Sequence, residues 1–259
     1  MKNQKKKETL KCLLLRQYLP FPFLFIFSIF LLILILFSQF LSIPLWADDS
    51  LTIIEKIIDT DDEKSLIEIV EKWQNSSDEN ASLYVGIAYH NLALIDSIKY
   101  ASLSVSWLSK YNGKKHISIA TAYKGSAITL VANAYSKKND FMTATAKLNE
   151  GFNLIDKAIK MDPQNVIIRF LRAENGIEIT ETTPFNRSKE VEEDLNFLAT
   201  KLSNFTNIQK AQYYLILGRL KLFQKKINEA IAALRQVIKE APDSKYAQIA
   251  RKILAKLED

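Results

Sequence analysis

The clearest structural pattern of the chain lies in residues 214–242, YLILGRLKLFQKKINEAIAALRQVIKEAP. Its apolar residues recur at intervals of three and four, which predicts two helices separated by a polar turn. Gly218 and Ala230 are small enough to let the two helices approach closely, and Leu234 fills the seam between them. Pro242 ends the second helix, because proline cannot continue one. The stretch therefore predicts a helical hairpin.

Helical periodicity extends through the rest of the chain after residue 47. Leu66, Val70 and Trp73, for example, share one face of a helix with a 3.6-residue period. Residues 48–259 contain only three prolines and few glycines, whereas architectures of strands and turns need more of both. The predicted class is therefore all-α. We predict eleven helices, near 51–59, 63–75, 80–95, 97–111, 117–137, 141–161, 165–180, 188–203, 207–223, 227–241 and 244–257.

The hairpin at 214–242 resembles a tetratricopeptide repeat (TPR). Lys221 stands where that family usually has tyrosine, and the unit at 128–151 matches more loosely. Intervals of 46 and 86 residues between matching positions are not multiples of the 34-residue family period, and they also suit HEAT-type hairpins. The resemblance implies a right-handed superhelix (solenoid) of stacked antiparallel αα-hairpins. The matching positions are Tyr214, Leu217, Gly218, Ala230, Leu234, Val237 and Pro242.

We expect three parts along the chain. Residues 1–47 form a membrane-inserting leader, and residues 48–78 form an N-terminal helix pair. Residues 79–259 form a TPR-like helical repeat domain. Its last helix, 244–257, carries apolar residues on one side and charged residues on the other, which suits a helix that caps a stack.

The leader is predicted from a long apolar run. Residues 23–37 contain only one polar residue, Ser28, and a weaker apolar run continues to Ile43. Cationic residues precede the run, so the positive-inside rule places the N-terminus in the cytoplasm and exports the body. Two outcomes stay open: a signal peptide cleaved near Ala47, which leaves a periplasmic protein, or a transmembrane helix that anchors a single-pass inner-membrane protein.

The distribution of charge argues against nucleic acid as a partner. The formal net charge is +6, but six of the 35 basic residues and one of the 29 acidic residues lie in residues 1–47. The body is therefore nearly neutral, without the positive surface that phosphate binding requires. The single cysteine, Cys12, excludes a disulfide within one chain.

The sequence shows no arrangement of residues typical of catalysis, cofactor binding or metal binding. The two histidines, His90 and His116, are far apart, and His116 is predicted to lie on a turn surface. Glu192, Glu193 and Asp194 are interpreted as a solvated first turn of a helix, because consecutive helical residues point in different directions. We therefore expect a protein that is not an enzyme and has no cofactor.

The TPR resemblance implies that the first helix of each hairpin lines a concave binding groove. Transferring the residue offset of the best-matched unit to the other units gives a stripe of mixed apolar and hydrogen-bonding residues. Such a surface suits an extended peptide or a helix of another protein. The predicted groove residues are His90, Thr129, Asn133, Phe170, Glu174, Leu215 and Arg219.

Two functional hypotheses follow. The first is a scaffold or adaptor that mediates protein-protein interactions in the cell envelope, with the membrane contacted through the leader. The alternative is an accessory subunit of an envelope transporter or of a secretion or assembly complex, which would hold a permanent partner through a larger apolar surface.

Overall fold

The computed structural model describes residues 49–258, and within that range it contains eleven α-helices, one short 3₁₀ helix and no strand. The prediction of an all-α fold is confirmed for this part of the chain. The leader predicted for residues 1–47 lies outside the described residues. Residues Ile53–Asp259 form one compact unit, and the contacts reported below lie within it.

The helices begin and end within a few residues of the predicted positions. The main difference is at predicted helix 188–203, which ends at Ala199 and is followed by the 3₁₀ helix Leu202–Asn204. The helices are α1 (Asp49–Asp59), α2 (Glu63–Trp73), α3 (Ala81–Ile95), α4 (Ser97–Lys110), α5 (Ile117–Ser136), α6 (Phe141–Met161), α7 (Val166–Thr182), α8 (Ser188–Ala199), α9 (Asn207–Phe223), α10 (Ile227–Glu240) and α11 (Lys245–Glu258).

Side-chain caps define several helix starts. Asp62, Asp140 and Asn165 each accept a hydrogen bond from a backbone N–H in the first turn of the helix that follows. Thr206 and Gln209 form a reciprocal capping box at the start of α9. Such caps satisfy N–H groups that have no partner within the helix. The caps therefore set the residue at which each short connection ends and the next helix begins.

The helices pack in a regular order. Between α2 and α11 each helix contacts the next one in the chain. In addition, α3, α5, α7, α9 and α11 contact one another in series. We call α3, α5, α7 and α9 the inner helices, because each of them contacts its neighbours in the chain and also another helix of this series. Their side chains are buried on most sides, whereas α10 and α11 bury one apolar stripe.

Glycines lie where a helix crosses the next one. A Cβ atom added at Gly86 would lie 2.5 Å from Cγ of Leu108, and one added at Gly125 would lie 2.7 Å from the carbonyl oxygen of Gly151. A Cβ atom added at Gly218 would lie 2.9 Å from Leu234. The absence of a side chain at these positions lets the helix backbones approach closely. The close contact predicted at Gly218 is therefore confirmed.

No helix between residues 49 and 258 combines the length and the apolar character that crossing a bilayer requires.

Candidate functional site

The residues predicted to line a partner groove lie on the inner helices. Some of their side chains are buried, and the others are exposed or partly exposed. Asn133 is exposed, and Glu174 and Arg219 are partly exposed. The side chains in the buried set pack inside the protein and not on its surface. Their role in binding stays a prediction. The buried members are His90, Thr129, Phe170 and Leu215.

Phe170 and Leu215 belong to the hydrophobic core. The ring of Phe170 lies 5.4 Å from the ring of Phe205, measured between centroids. Leu215 packs in a cluster with Leu234 and Val237 of α10. Successive helical residues differ in direction by ~100°, so an offset wrong by one position moves a side chain from a groove into the core.

His90 lies in a buried polar contact between α3 and α5. Its Nε2 atom is 2.8 Å from Oγ of Ser126, and its Nδ1 atom is 3.3 Å from Oδ1 of Asn91. The ring of Tyr123 meets the imidazole edge to face at 5.0 Å. Because the amide oxygen of Asn91 can only accept, Nδ1 carries the proton and Nε2 accepts from the Ser126 hydroxyl. Burial lowers the pKa of His90 to about 4, so the ring is neutral at pH 7.

Asn91 extends this contact to the end of α1. Its amide nitrogen donates to the carbonyl oxygens of Ile57 at 2.9 Å and Thr60 at 3.1 Å. The last carbonyl groups of a helix have no partner within it, and the amide of Asn91 supplies donors to two carbonyl groups at this helix end, one of which, that of Ile57, also accepts from the N–H of Thr60. His90 and Asn91 together connect α1, α3 and α5.

A second pair of polar contacts continues along the inner helices. Nδ2 of Asn175 on α7 donates to Oγ1 of Thr129 on α5 at 2.7 Å. The side chain of Glu174 on α7 interacts with that of Gln212 on α9, and burial raises the pKa of the Glu174 carboxyl. The predicted polar stripe is therefore mostly occupied by hydrogen bonds between the inner helices, which fix the register of neighbouring helices.

The open part of the predicted stripe lies one turn further along the same helices. Asn133 follows Thr129 by one turn on α5, and Glu178 follows Asn175 on α7. Arg219 on α9 donates to Glu178 at 2.7 Å and to Glu181 at 3.1 Å. We call Asn133, Glu178, Glu181 and Arg219 the mouth. Two carboxylates and one guanidinium give it a formal charge of about −1 at neutral pH.

A buried ionic cluster joins α7 to α8. Asp194, fully buried, accepts hydrogen bonds from Arg169 at 2.8 Å and from Arg172 at 2.7 and 2.8 Å. Burial raises the pKa of Asp194, and the two guanidinium groups oppose that rise. Asp156 of α6 lies 3.4 Å from Arg172 and 2.7 Å from Arg187. The cluster therefore ties three consecutive helices together.

Two interpretations of the sequence are wrong. Glu192 and Glu193 are exposed, but Asp194 is buried between two arginines instead of lying on a solvated turn. His116 is also buried, and its backbone N–H donates to the hydroxyl of Tyr111 at 3.3 Å. The period of α8 places residue 194 on the same face as buried Val191 and Leu198, which is the signal that could have identified it.

Within residues 49–258 no group of three or more His, Cys, Asp or Glu side chains is placed to hold a metal ion. The chain matches no protein-family model, no curated protein and no solved structure. Residues 49–258 therefore belong to the all-α class of folds, and the surfaces of this part of the chain supply the functional argument.

Proposed function

We propose that this chain is a non-enzymatic scaffold or adaptor that binds a protein segment at the mouth, in the cell envelope. We infer that its body is a right-handed superhelix of stacked antiparallel αα-hairpins similar to tetratricopeptide repeats. The predicted leader would export this body, either as a periplasmic protein after cleavage near Ala47 or as a single-pass inner-membrane protein. The observation that carries the proposal is the mouth, because its polar side chains are accessible to solvent whereas most other residues of the predicted groove are buried between the inner helices.

Two turns support the repeat arrangement. Asn139, between α5 and α6, and Lys225, between α9 and α10, have positive φ values of 62° and 61°. In each turn the N–H of the following residue donates to the carbonyl five residues back, at 3.1 and 2.8 Å. This is the hydrogen-bond pattern of a Schellman motif. Asn139 and Lys225 are 86 residues apart in the chain. Ala132 and Gly218, which the sequence pattern places at equivalent positions, are separated by the same number of residues.

The chemistry of the mouth favours a segment that carries donors. Asn133 is exposed and can both donate and accept, as pairing with a peptide backbone requires. The Glu178 side chain is 59% exposed, whereas Arg219 is 19% exposed and already holds two carboxylates. A lysine, an arginine or free backbone N–H groups on the partner suit this arrangement better than a carboxylate does.

The test uses the double variant Asn133→Ala with Glu178→Gln. Both side chains lie on the surface, so helix content and the melting midpoint should stay unchanged. Contacts at the centre of an interface contribute roughly 1 kcal/mol or more each, and 1.4 kcal/mol is about tenfold in affinity. Crosslinking in intact cells, followed by mass spectrometry, should show a partner whose yield falls in this variant. The matched control is Glu192→Gln, which removes an exposed carboxylate from α8.

Equal partner yields for the double variant and the control would contradict binding at the mouth. A single partner that remains bound in fixed proportion through purification would favour the accessory subunit over the adaptor, because permanent complexes bury larger apolar surfaces.

A further inference from the structure

Helix ends that flank three of the turns carry seven of the thirteen large apolar side chains that are exposed within residues 49–258. Met142 is 86% exposed, Leu94 64% and Phe141 62%. They lie at the helix ends beside the turns from α3 to α4 and from α5 to α6, and the helix ends beside the turn from α9 to α10 add two more. Large apolar side chains that protrude together mark an interaction surface. The remaining members of this set are Ile95, Ile98, Phe223 and Ile227.

These turns lie along one edge of the protein. Nζ of Lys137 donates to Oγ of Ser97 at 3.2 Å, which brings the turn after α5 beside the turn after α3. Ile179, near the end of α7, packs in one cluster with Ala132 of α5. Arg219, one turn before the end of α9, pairs with Glu181 of α7. We call residues 94–99, 137–142 and 223–227 the turn edge.

Lysines accompany the apolar side chains in every turn of this edge. The lysines are exposed, whereas the carboxylates of Asp96 and Asp140 accept hydrogen bonds from backbone N–H groups of α4 and α6. The acidic groups are thus engaged at helix starts, whereas the lysines stay exposed, including Lys137, whose Nζ also donates to Ser97. The lysines are Lys99, Lys137, Lys138, Lys225 and Lys226.

We propose that the turn edge docks on the surface of a lipid bilayer that contains anionic phospholipids. Side chains that protrude from convex turns can enter the boundary between headgroups and acyl chains, and neighbouring lysines attract anionic headgroups. Lysine stems also lie along apolar surface while their charges stay in water.

This inference does not depend on a protein partner at the mouth. Its test uses the full chain, inserted through its leader into vesicles, so that attachment to the membrane is the same in every sample. Cys12→Ser removes the only thiol. A single cysteine then carries an environment-sensitive fluorophore, at Met142→Cys on the turn edge or at Gln164→Cys, an exposed position between α6 and α7 at the opposite end of α6.

In vesicles of phosphatidylcholine and phosphatidylglycerol, the label at position 142 should shift to shorter wavelength and be quenched by doxyl lipids. The label at position 164 should show neither effect. Pure phosphatidylcholine should abolish most of the shift at 142, as should Lys137→Glu with Lys138→Glu. A label at 142 that stays exposed to water in both lipids would overturn the proposal. A shift that follows protein concentration in detergent without lipid would also overturn it, because it would indicate a second copy on this edge.

Discussion

The helix pairs α7–α8 and α9–α10 follow each other in the chain, but different chemistry holds each pair together. In α9–α10 the contact is apolar and is made by small residues. Gly218 faces Leu234, and Ala230 is fully buried. In α7–α8 a fully buried carboxylate, Asp194, lies between the guanidinium groups of two arginines. One pair depends on close packing and the other on buried charges that must remain paired.

The difference shows which contacts a sequence pattern reveals. Small residues at fixed spacing in α9–α10 predict a close crossing directly. The acidic run at 192–194 looks like a solvated surface, because the arginines that pair with Asp194 are more than twenty residues away on α7. Only the three-dimensional arrangement brings the charges together.

The largest effect is expected from Asp194→Ala. This change removes the one fully buried carboxylate that pairs with Arg169 and Arg172 and leaves them the more exposed Glu193 and, for Arg172, Asp156. Removing one partner of a buried ion pair typically costs about 3–5 kcal/mol of unfolding free energy. Glu192→Ala, an exposed neighbour, should stay within about 0.5 kcal/mol. Chemical denaturation of both variants measures the difference. Equal midpoints would mean that the cluster does not hold α8.

A replacement of the three central residues of the cluster sharpens the same comparison. Arg169→Met, Arg172→Leu and Asp194→Leu together exchange the buried charges for apolar side chains. Such exchanges are often neutral or stabilising, because no buried charge is left unpaired. We expect this triple variant to be more stable than Asp194→Ala alone. A triple variant that is less stable would indicate that α7–α8 needs its ion pairs for packing.

The next effect concerns pH and the buried His90. Its pKa is about 4 in the folded protein and near 6.5 when unfolded, so the unfolded chain binds more protons between these values. Stability should therefore fall as the pH drops from about 6.5 toward 4, by roughly 3 kcal/mol from this group. His90→Gln should remove that part of the pH dependence. The same slope in both proteins would mean that His90 is solvated.

A smaller effect is expected from overpacking in α9–α10. Ala230→Leu places a larger side chain in the seam beside Gly218 and should destabilise by roughly 1–3 kcal/mol. Gly125→Ala offers a comparison, because its added Cβ would meet a backbone oxygen that cannot turn away. Gly218→Ala meets the flexible end of Leu234 and should cost less than Gly125→Ala. Thermal melting ranks the three variants, and the reverse order of the two glycines would contradict the close crossing.

The smallest effect is expected from Arg219→Ala. This arginine pairs with Glu178 and Glu181 at a partly exposed site, and such pairs contribute at most about 1 kcal/mol. The contrast with Asp194→Ala tests whether burial sets the strength of an ion pair in this protein. A loss as large as that of Asp194→Ala would show that the mouth is structural.

The all-α class and the helix positions of residues 49–258 could be predicted from the sequence. Helix positions follow from apolar periodicity and from breaks such as Asp162 and Pro163, both of which are local signals. The crossing at Gly218 follows from small residues that are visible in one short stretch.

The candidate site could be predicted only in part. The stripe through Thr129 and Asn133 was placed by an offset along each helix, but an offset cannot tell how closely the inner helices approach one another. The close approach of the inner helices buries the stripe at His90 and Thr129, whereas Asn133 stays exposed. The turn edge was missed, because single apolar residues next to lysines in short turns look like ordinary connections.

The most direct test of the proposed function is a photocrosslinking amino acid placed at position 133 and, in a matched strain, at position 192. Both positions are exposed on helices, but only the first lies in the mouth. Illumination of intact cells should give a discrete crosslinked protein from position 133 and none of that protein from position 192. Crosslinking of the same protein from position 192, or no crosslinked protein from position 133, would contradict partner binding at the mouth.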